Sequence, residues 1–321
     1  MSASTMALTL RVLQMRWEAD DVVSLLLTTI DGRTLPPWSP GDHIDIRLPG
    51  GLVRQYSLCG ERAPGAPWRI AVLRVPDGRG GSAAVHDRVR PGDLLQTSLP
   101  RSNFELRGAD SYVFLAGGIG ITPILPMVHC AQDQGVPWEL HYGGRSLERM
   151  PFTAELAPSA TDGRVTLVPQ DTDGLLCLPP ILREIRSNAL IYACGPPAML
   201  DALQHAAAHW PDQSVVIERF GAVPLVDGAG PTGGHFEVEA AQSGVTVRVD
   251  PGTSVVEALG AAGVNVPTSC GQGICGTCET KILAGIPDHH DSLLTEAERA
   301  SNQTMMVCVS RSLSDRLVLD L

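Results

Sequence analysis

Lysine is almost missing from this chain: Lys281 is the sole one in 321 residues. A Walker-A phosphate loop places a lysine after its glycines, so nucleotide binding of that type is excluded. Basic residues as a whole are outnumbered, 24 Lys and Arg against 35 Asp and Glu. A net charge of -11 denies the chain the basic face that a nucleic-acid binder needs. No apolar run approaches the roughly 20 residues that cross a bilayer. The opening residues Met1-Ser2-Ala3-Ser4-Thr5 carry no positive segment ahead of an apolar stretch, so no secretory leader is expected. A G-x-S-x-G elbow and an H-E-x-x-H helix are both lacking, which removes the common serine hydrolase and zinc protease classes. The expectation is a cytoplasmic monomer with neither nucleic acid nor membrane as partner.

What is present is a globular composition. Hydrophobic residues make up 44% and charged residues 18%, enough apolar mass for two or three domains. The high count of turn formers, 33 Gly and 25 Pro, implies many short elements. Eight cysteines in a cytoplasmic chain are not read as four disulfides. Cys59, Cys130, Cys177 and Cys194 are scattered, whereas Cys270, Cys275, Cys278 and Cys308 gather in the last fifth. From His235 onward there are eleven Asp and Glu against five Lys and Arg, which marks this part as a separate acidic unit.

Residues 1–108 hold short strand-like runs at 7–13, 22–27, 43–48, 53–58, 69–73 and 94–99, separated by Gly, Pro and Asp turns. That spacing predicts a small antiparallel β-barrel. Over residues 109–222 the pattern becomes an alternation of apolar strands (112–116, 138–142, 165–168, 189–193 and 214–217) with helical stretches such as 122–134 and 197–209. Alternation of this kind predicts an α/β domain built on a parallel sheet. A linker is expected next, at 223–234, within the fourteen residues 221–234 that hold five Gly and two Pro. The last domain, 235–321, begins with a hairpin (235–240 and 245–249) and a helix near 254–262.

Three motifs carry chemistry. Cys270-x4-Cys275-x2-Cys278, with Cys308 further on, has the spacing of plant-type [2Fe–2S] ligation. Gly271, Gly273 and Gly276 let such a loop turn its backbone N–H groups toward the sulfurs. The four-cysteine alternative, a zinc ribbon, uses two C-x2-C knuckles, and only one is present. The second motif, Leu115-Ala116-Gly117-Gly118-Ile119-Gly120-Ile121-Thr122-Pro123, sits at a strand end and opens a helix, where bare backbone N–H groups attract a pyrophosphate. Tyr192-Ala193-Cys194-Gly195-Pro196-Pro197-Ala198-Met199 repeats that arrangement, so both lie at the carboxyl edge of one sheet. The third is Arg54-Gln55-Tyr56-Ser57-Leu58 with Arg79-Gly80-Gly81-Ser82, an arginine and an aromatic ring beside a Gly-Gly-Ser helix start, suited to a flat ring and a phosphate. Taken alone, these last residues read as a surface arginine and an ordinary helix cap.

In this order the motifs resemble the phthalate dioxygenase reductase family, most closely reductase subunits of vanillate O-demethylase type. The resemblance spans nearly the whole chain, Gly78-Arg79 and Glu218-Arg219-Phe220-Gly221 included. It implies a flavin barrel, a nicotinamide domain and a β-grasp ferredoxin domain, in that order. It further implies FMN, with Arg54, Gln55, Arg74, Gly80, Gly81 and Ser82 around it and Tyr56 and Ser57 along the isoalloxazine. Phe220 would stack on the nicotinamide side of the flavin, and Cys194 would lie near the hydride path. Read without the resemblance, Phe220 is a core aromatic and Cys194 a small buried hydrophobe. The nicotinamide site would draw on Gly118, Gly120, Thr122, Arg145, Ser146, Cys194, Gly195, Pro196 and Met199. NADH is the expected donor, although Arg145 after the second strand also suits the 2′-phosphate of NADPH.

The implied activity is that of a reductase passing electrons from NADH through FMN and a [2Fe–2S] cluster to a Rieske-type oxygenase. A reductase for another acceptor, such as a di-iron monooxygenase, is the alternative within the class. An iron–sulfur redox sensor is the alternative outside it, and would need an effector or DNA-binding segment that the sequence lacks. The oxygenase is expected to dock on the uncharged, exposed 271–276 loop, rimmed by Glu279, Asp288, Asp291, Glu296 and Glu298. His289 and His290 read as a solvated loop pair rather than a metal site.

Overall fold

The computed structural model describes residues 7–220 and 234–321, apart from Asp77, Arg79 and Ser269. Arg79 and all of the expected linker but Gly234 lie outside the described residues. The chain divides into two compact units that part between Phe220 and Gly221.

The first unit opens with β1 (Leu8–Ala19), β2 (Val22–Thr29), β3 (Asp42–Arg47), β4 (Val53–Ser57) and β5 (Trp68–Leu73), followed by α1 (Gly81–Arg88), β6 (Leu94–Thr97) and β7 (Arg101–Ser102). The strands form one antiparallel sheet in the order β4-β3-β6-β1-β2-β5, with β7 added beside β3. Beyond the edge strands, the Cys59 N–H donates to the Arg69 carbonyl at 2.8 Å, which draws β4 and β5 together and curls the sheet into a barrel. Side chains alternate along each strand, so Leu10 and Val12, Leu25 and Leu27, Ile44 and Ile46, and Trp68 and Ile70 all enter one core. The β1 strand runs longer than the sequence predicts because two register shifts let it bend with the barrel.

The remainder of this unit comprises β8 (Ser111–Gly117), α2 (Ile121–Asp133), β9 (Trp138–Gly144), α3 (Thr153–Thr161) and β10 (Val165–Pro169). After these come α4 (Gln170–Asp173), α5 (Leu178–Leu182), β11 (Ala189–Cys194), α6 (Pro197–Ala206) and β12 (Val215–Glu218). The sheet is parallel, in the order β10-β9-β8-β11-β12. From Val113 to Ala116 the central strand is fully buried, the continuous apolar run of a strand covered on both faces. The chain winds outward from β8 in one direction and then in the other, so a crevice opens between the carboxyl ends of β8 and β11. Such a switch point is where open α/β sheets bind ligands.

The barrel and the α/β half share a core. Ala19, Val22, Cys59 and Ala71 pack in one cluster with Phe104, Phe114, Ile121 and Tyr192. Ion pairs Arg69–Glu155 at 3.0 Å and Arg149–Asp21 at 2.7 Å join the two halves as well.

The second unit contains β13 (Phe236–Ala240), β14 (Val245–Val249), α7 (Val255–Ala261), β15 (Glu279–Ala284), β16 (Pro287–Asp288), α8 (Glu296–Ser301), β17 (Thr304–Met306), β18 (Arg311–Ser312) and β19 (Arg316–Leu319). Its main sheet is ordered β14-β13-β19-β15-β17, with β13 and β19 parallel and the other pairs antiparallel. Val255 and Leu259 of α7 pack into the same core as Val238, Leu317 and Leu319, the β-grasp arrangement expected. Each helix starts with a capping box, Ser254 with Glu257 and Thr295 with Glu298, of a kind worth about 1 kcal/mol.

Two expectations about this unit's surface are corrected. The His289 side chain is 8% exposed, enclosed rather than solvated, and the His290 ring lies 2.9 Å from the Asp288 carboxylate. Asp291 is not a rim acid: its side chain is fully buried, because its carboxylate accepts backbone N–H groups of its own turn. No helix among the described residues is long and apolar enough to cross a membrane.

Candidate functional site

The barrel supplies the first cradle. Gly80 precedes α1 in a left-handed conformation (φ 75°) and gives no side-chain cap, so the N–H groups of the first turn face outward with the positive end of the helix dipole. Arg54 of β4 lies across this helix start; a Cβ on Gly81 would fall 2.5 Å from its Nε. A small residue is required there for the guanidinium to reach the helix end. An arginine beside an uncapped helix start suits a phosphate dianion, so these residues fit the FMN phosphate. Tyr56 is half-buried against the barrel core, where desolvation by burial raises its pKa and keeps the phenol neutral. Gln55 is half-buried beside it, and Ser57 is buried at the end of the strand. Ser82 accepts the Val75 N–H at 3.0 Å, which fixes the entry into α1. Arg74 is directed elsewhere, in a two-bond ion pair with Asp87 at 2.7 and 3.1 Å.

The crevice of the parallel sheet supplies the second cradle. A Cβ on Gly120 would collide with the Cys194 carbonyl, and one on Gly117 would fall 2.5 Å from the Pro196 ring and 2.9 Å from the Met199 sulfur. The two glycine-bearing strand ends therefore touch, as their sequence positions predict. The Thr122 hydroxyl donates to the Ile119 carbonyl at 3.0 Å and so secures the turn that carries Gly118. Tyr142, which the sequence did not single out, places its buried hydroxyl 3.2 Å from the Gly118 and Pro151 carbonyls. Arg145 is exposed and Ser146 half-buried just past β9. Asp171 and Asp173 stand beside them on α4, with the Asp171 N–H donating to the Arg145 carbonyl at 3.2 Å.

Cys194 and Glu218 are register partners at the carboxyl ends of β11 and β12. Burial, reinforced by the neighbouring Glu218, raises the Cys194 pKa well above that of a free thiol, so the group is a neutral lining and not a nucleophile. Burial also pushes the Glu218 carboxyl up to about 8, and one of its oxygens is enclosed without a hydrogen-bond partner. The sequence motif contained Glu218 but gave it no role; a half-buried acid beside Cys194 is visible only once the sheet is assembled. Phe220, two residues further, is 40% exposed. An aromatic ring that stays this open at the edge of the unit is available to cover a flat ligand rather than fill a core.

In the second unit the four thiols of Cys270, Cys275, Cys278 and Cys308 converge. Hydrogen bonding from Cys270, then burial, raises the Cys275 thiol. At Cys308 the Cys270 contact lowers the pKa, but Cys278 and burial outweigh it and push the thiol up to about 12. Thiols that raise one another in this way release their protons when a cation replaces them. No three described His, Cys, Asp or Glu groups close around a single-ion site; a two-iron cluster instead holds its thiolates in pairs over a wider frame. The Gln272 N–H donates to the Cys270 sulfur at 3.3 Å. The loop thus fits a [2Fe–2S] cluster, although it is less open than expected: Gly271 is exposed while Gly273 is buried.

Comparison with known proteins agrees with this geometry. Residues 238–313 match the family model for the 2Fe-2S iron–sulfur cluster binding domain. Over its whole length the chain is 40% identical to the phenoxybenzoate dioxygenase subunit beta of Ectopseudomonas oleovorans, covering 99% of that protein. It is 39% identical to a vanillate O-demethylase oxidoreductase from a Pseudomonas species, across 96% of this chain and 98% of the relative. Among solved structures, phthalate dioxygenase reductase, described as a modular structure for electron transfer from pyridine nucleotides to [2Fe–2S], superimposes with a TM-score of 0.75 at 34% identity, over 98% of both chains. An antiparallel barrel, a parallel-sheet half and a β-grasp unit bearing four convergent cysteines, matched end to end by such relatives, place this chain in the phthalate dioxygenase reductase family.

Proposed function

We propose that this protein is the NADH-dependent reductase component of a two-component aromatic oxygenase or O-demethylase, with a Rieske-type oxygenase as its partner. The observation that carries this reading is the meeting of the two glycine strand ends, Gly117–Gly120 and Cys194–Pro196, in one unit with the Arg54 cradle, while a cluster loop occupies the other unit. The chain therefore holds a place to collect a hydride and a separate place from which single electrons leave.

When bound, FMN would supply the redox chemistry the protein itself lacks, the exchange of two-electron for one-electron transfer. Arg54 and the start of α1 anchor the phosphate, and Tyr56 and Ser57 border the ring. The Gly117–Gly120 turn brings backbone N–H groups against the pyrophosphate of NADH. Exposed Phe220 would stack on the nicotinamide side of the flavin, and neutral Cys194 would line the hydride path without competing for it. NADH is the donor, as the resemblance implies. The oxygenase docks near the exposed end of the 271–276 loop, and the enzyme works in the cytoplasm.

Stopped-flow and steady-state assays test this reading. NADH should reduce ferricyanide and cytochrome c through the purified protein, and a purified aromatic-ring oxygenase should accept electrons at a catalytic rate. Flavin that stays oxidised in the presence of NADH would refute it.

A further inference from the structure

The turn over residues 289–294 lies directly behind the cysteine loop. The Asp291 carboxylate accepts the backbone N–H groups of Leu293 at 3.0 Å and Leu294 at 2.8 Å through one oxygen, Oδ2. Arg299, from α8, donates to the Asp291 backbone carbonyl and sits 3.6 Å from its carboxylate. The His289 ring lies 3.7 Å from the other oxygen, Oδ1. Oδ1 and the His289 nitrogens are enclosed without a hydrogen-bond partner, so the hold is through Oδ2. A fully buried carboxylate that accepts two backbone N–H groups there immobilises the turn that carries it.

The turn reaches the cluster loop at one residue. The Ser292 N–H donates to the Gly273 carbonyl at 3.0 Å. Gly273 has φ +68°, and a Cβ there would fall 2.6 Å from Val309 Cγ2 and 2.9 Å from the Asp291 Cα. Immediately before it, the Gln272 N–H donates to the Cys270 sulfur at 3.3 Å. Gly273 is thus held through its carbonyl by the turn, next to an N–H that serves a ligand.

We propose that Asp291 is a positioning residue for the iron–sulfur centre: by locking the 291–294 turn it fixes Gly273, and with it the neighbouring Gln272 N–H on the Cys270 sulfur. The proposal rests on the assignment of the four cysteines as cluster ligands. Hydrogen bonds to cluster sulfurs are among the factors that set the reduction potential, and they stabilise the reduced, more negative state. Loosening Gly273 should therefore shift the reduction equilibrium by about tenfold toward the oxidised form, which is about 59 mV for one electron.

Charge must be separated from position, because removing a carboxylate near the cluster favours reduction by itself. Asp291→Asn and Asp291→Ala lose the same charge, but only Asn keeps an acceptor for the Leu293 and Leu294 N–H groups. Potentiometric titration of the holoprotein, followed by the EPR signal of the reduced cluster, should place the Ala variant about 59 mV below the Asn variant, with altered g-values in Ala alone. NADH–ferricyanide activity should be unchanged in both, since its groups lie in the other unit. Where Asp291→Ala does not fold, Gly273→Ala, which retains the carboxylate, should lower the potential relative to wild type. Coincident potentials and g-values for the Ala and Asn variants, or a wild-type potential in Gly273→Ala, would overturn the proposal. A wild-type holoprotein without a cluster EPR signal would instead overturn the ligand assignment beneath it.

Discussion

The two units assemble their sites in opposite ways. In the second unit three of the four cysteines proposed to hold the cluster lie in one short loop, and Cys308 is the one drawn from elsewhere. In the first unit the site is gathered from β4, α1, the ends of β8 and β11, and the segment after β12. A contiguous site depends on local backbone conformation, whereas a dispersed one depends on the fold that carries it. The cluster site should therefore fail residue by residue, and the flavin site gradually.

The sharpest break of that contrast is Cys308→Ser. Cluster absorbance, EPR signal and cytochrome c reduction should all vanish, while NADH–ferricyanide activity persists in the first unit. Cutting the chain after Phe220 tests the same separation from the other side. The fragment should fold on its shared core, hold FMN and reduce ferricyanide, yet transfer nothing to cytochrome c; insolubility would show that the first unit relies on the second.

Within the dispersed site the effects should be partial. A charge-assisted contact to a phosphate is worth roughly 1.5–3 kcal/mol, so Arg54→Ala should weaken FMN binding by about ten- to a hundredfold, measurable by fluorescence titration of the apoprotein. Glu218 sharpens the comparison through pH. With its carboxyl at about 8 in the folded unit against 4.5 for the free group, it is neutral at pH 7. Ionisation would place a negative charge beside an incoming hydride, so flavin reduction should slow by up to about tenfold as pH rises past 8, and Glu218→Gln should abolish that transition. The folded state binds this proton more tightly than the unfolded chain, so the unit's stability should fall as pH climbs from about 4.5 toward 8, a slope that the same variant removes in urea titrations. The smallest effect concerns docking. Asp291 is buried, the Asp288 carboxylate is paired with His290 and the Glu298 carboxylate is engaged in its capping box, which leaves Glu279 and Glu296 as exposed rim acids. Electron transfer to the oxygenase should slow only a few-fold as salt rises through 0.15 M, where the Debye length is about 8 Å.

The same contrast explains what the sequence disclosed. The Cys270–Cys278 spacing, the glycine-bearing strand ends and the Arg54–Ser57 strand are local patterns, and each occupies the element its pattern implies. Strand alternation located the barrel and the parallel sheet to within a few residues. The two-residue β7 was missed because it has no periodicity of its own and exists only through its pairing with β3. Tyr142 and Glu218 were passed over because their roles depend on what the sheet brings beside them. His289 and Asp291 were misread for a related reason: polar residues in a loop look solvated until the turn folds inward onto the Arg299 guanidinium and the Gly273 carbonyl.

The parallel pairing of β13 with β19 also has a consequence for synthesis. β19 lies at the middle of the second unit's sheet, between β13 and β15, yet it is translated after every cluster cysteine. Until it emerges, β13 and β15 have no strand to join them, and Leu317 and Leu319 are missing from the core beneath α7. Pairings this distant in sequence form slowly, since chain entropy is lost before any contact is gained. The nascent chain thus passes through an interval in which the first unit is complete and all four thiols are exposed without a scaffold. The scaffold behind the four cysteines is complete only when one short strand arrives.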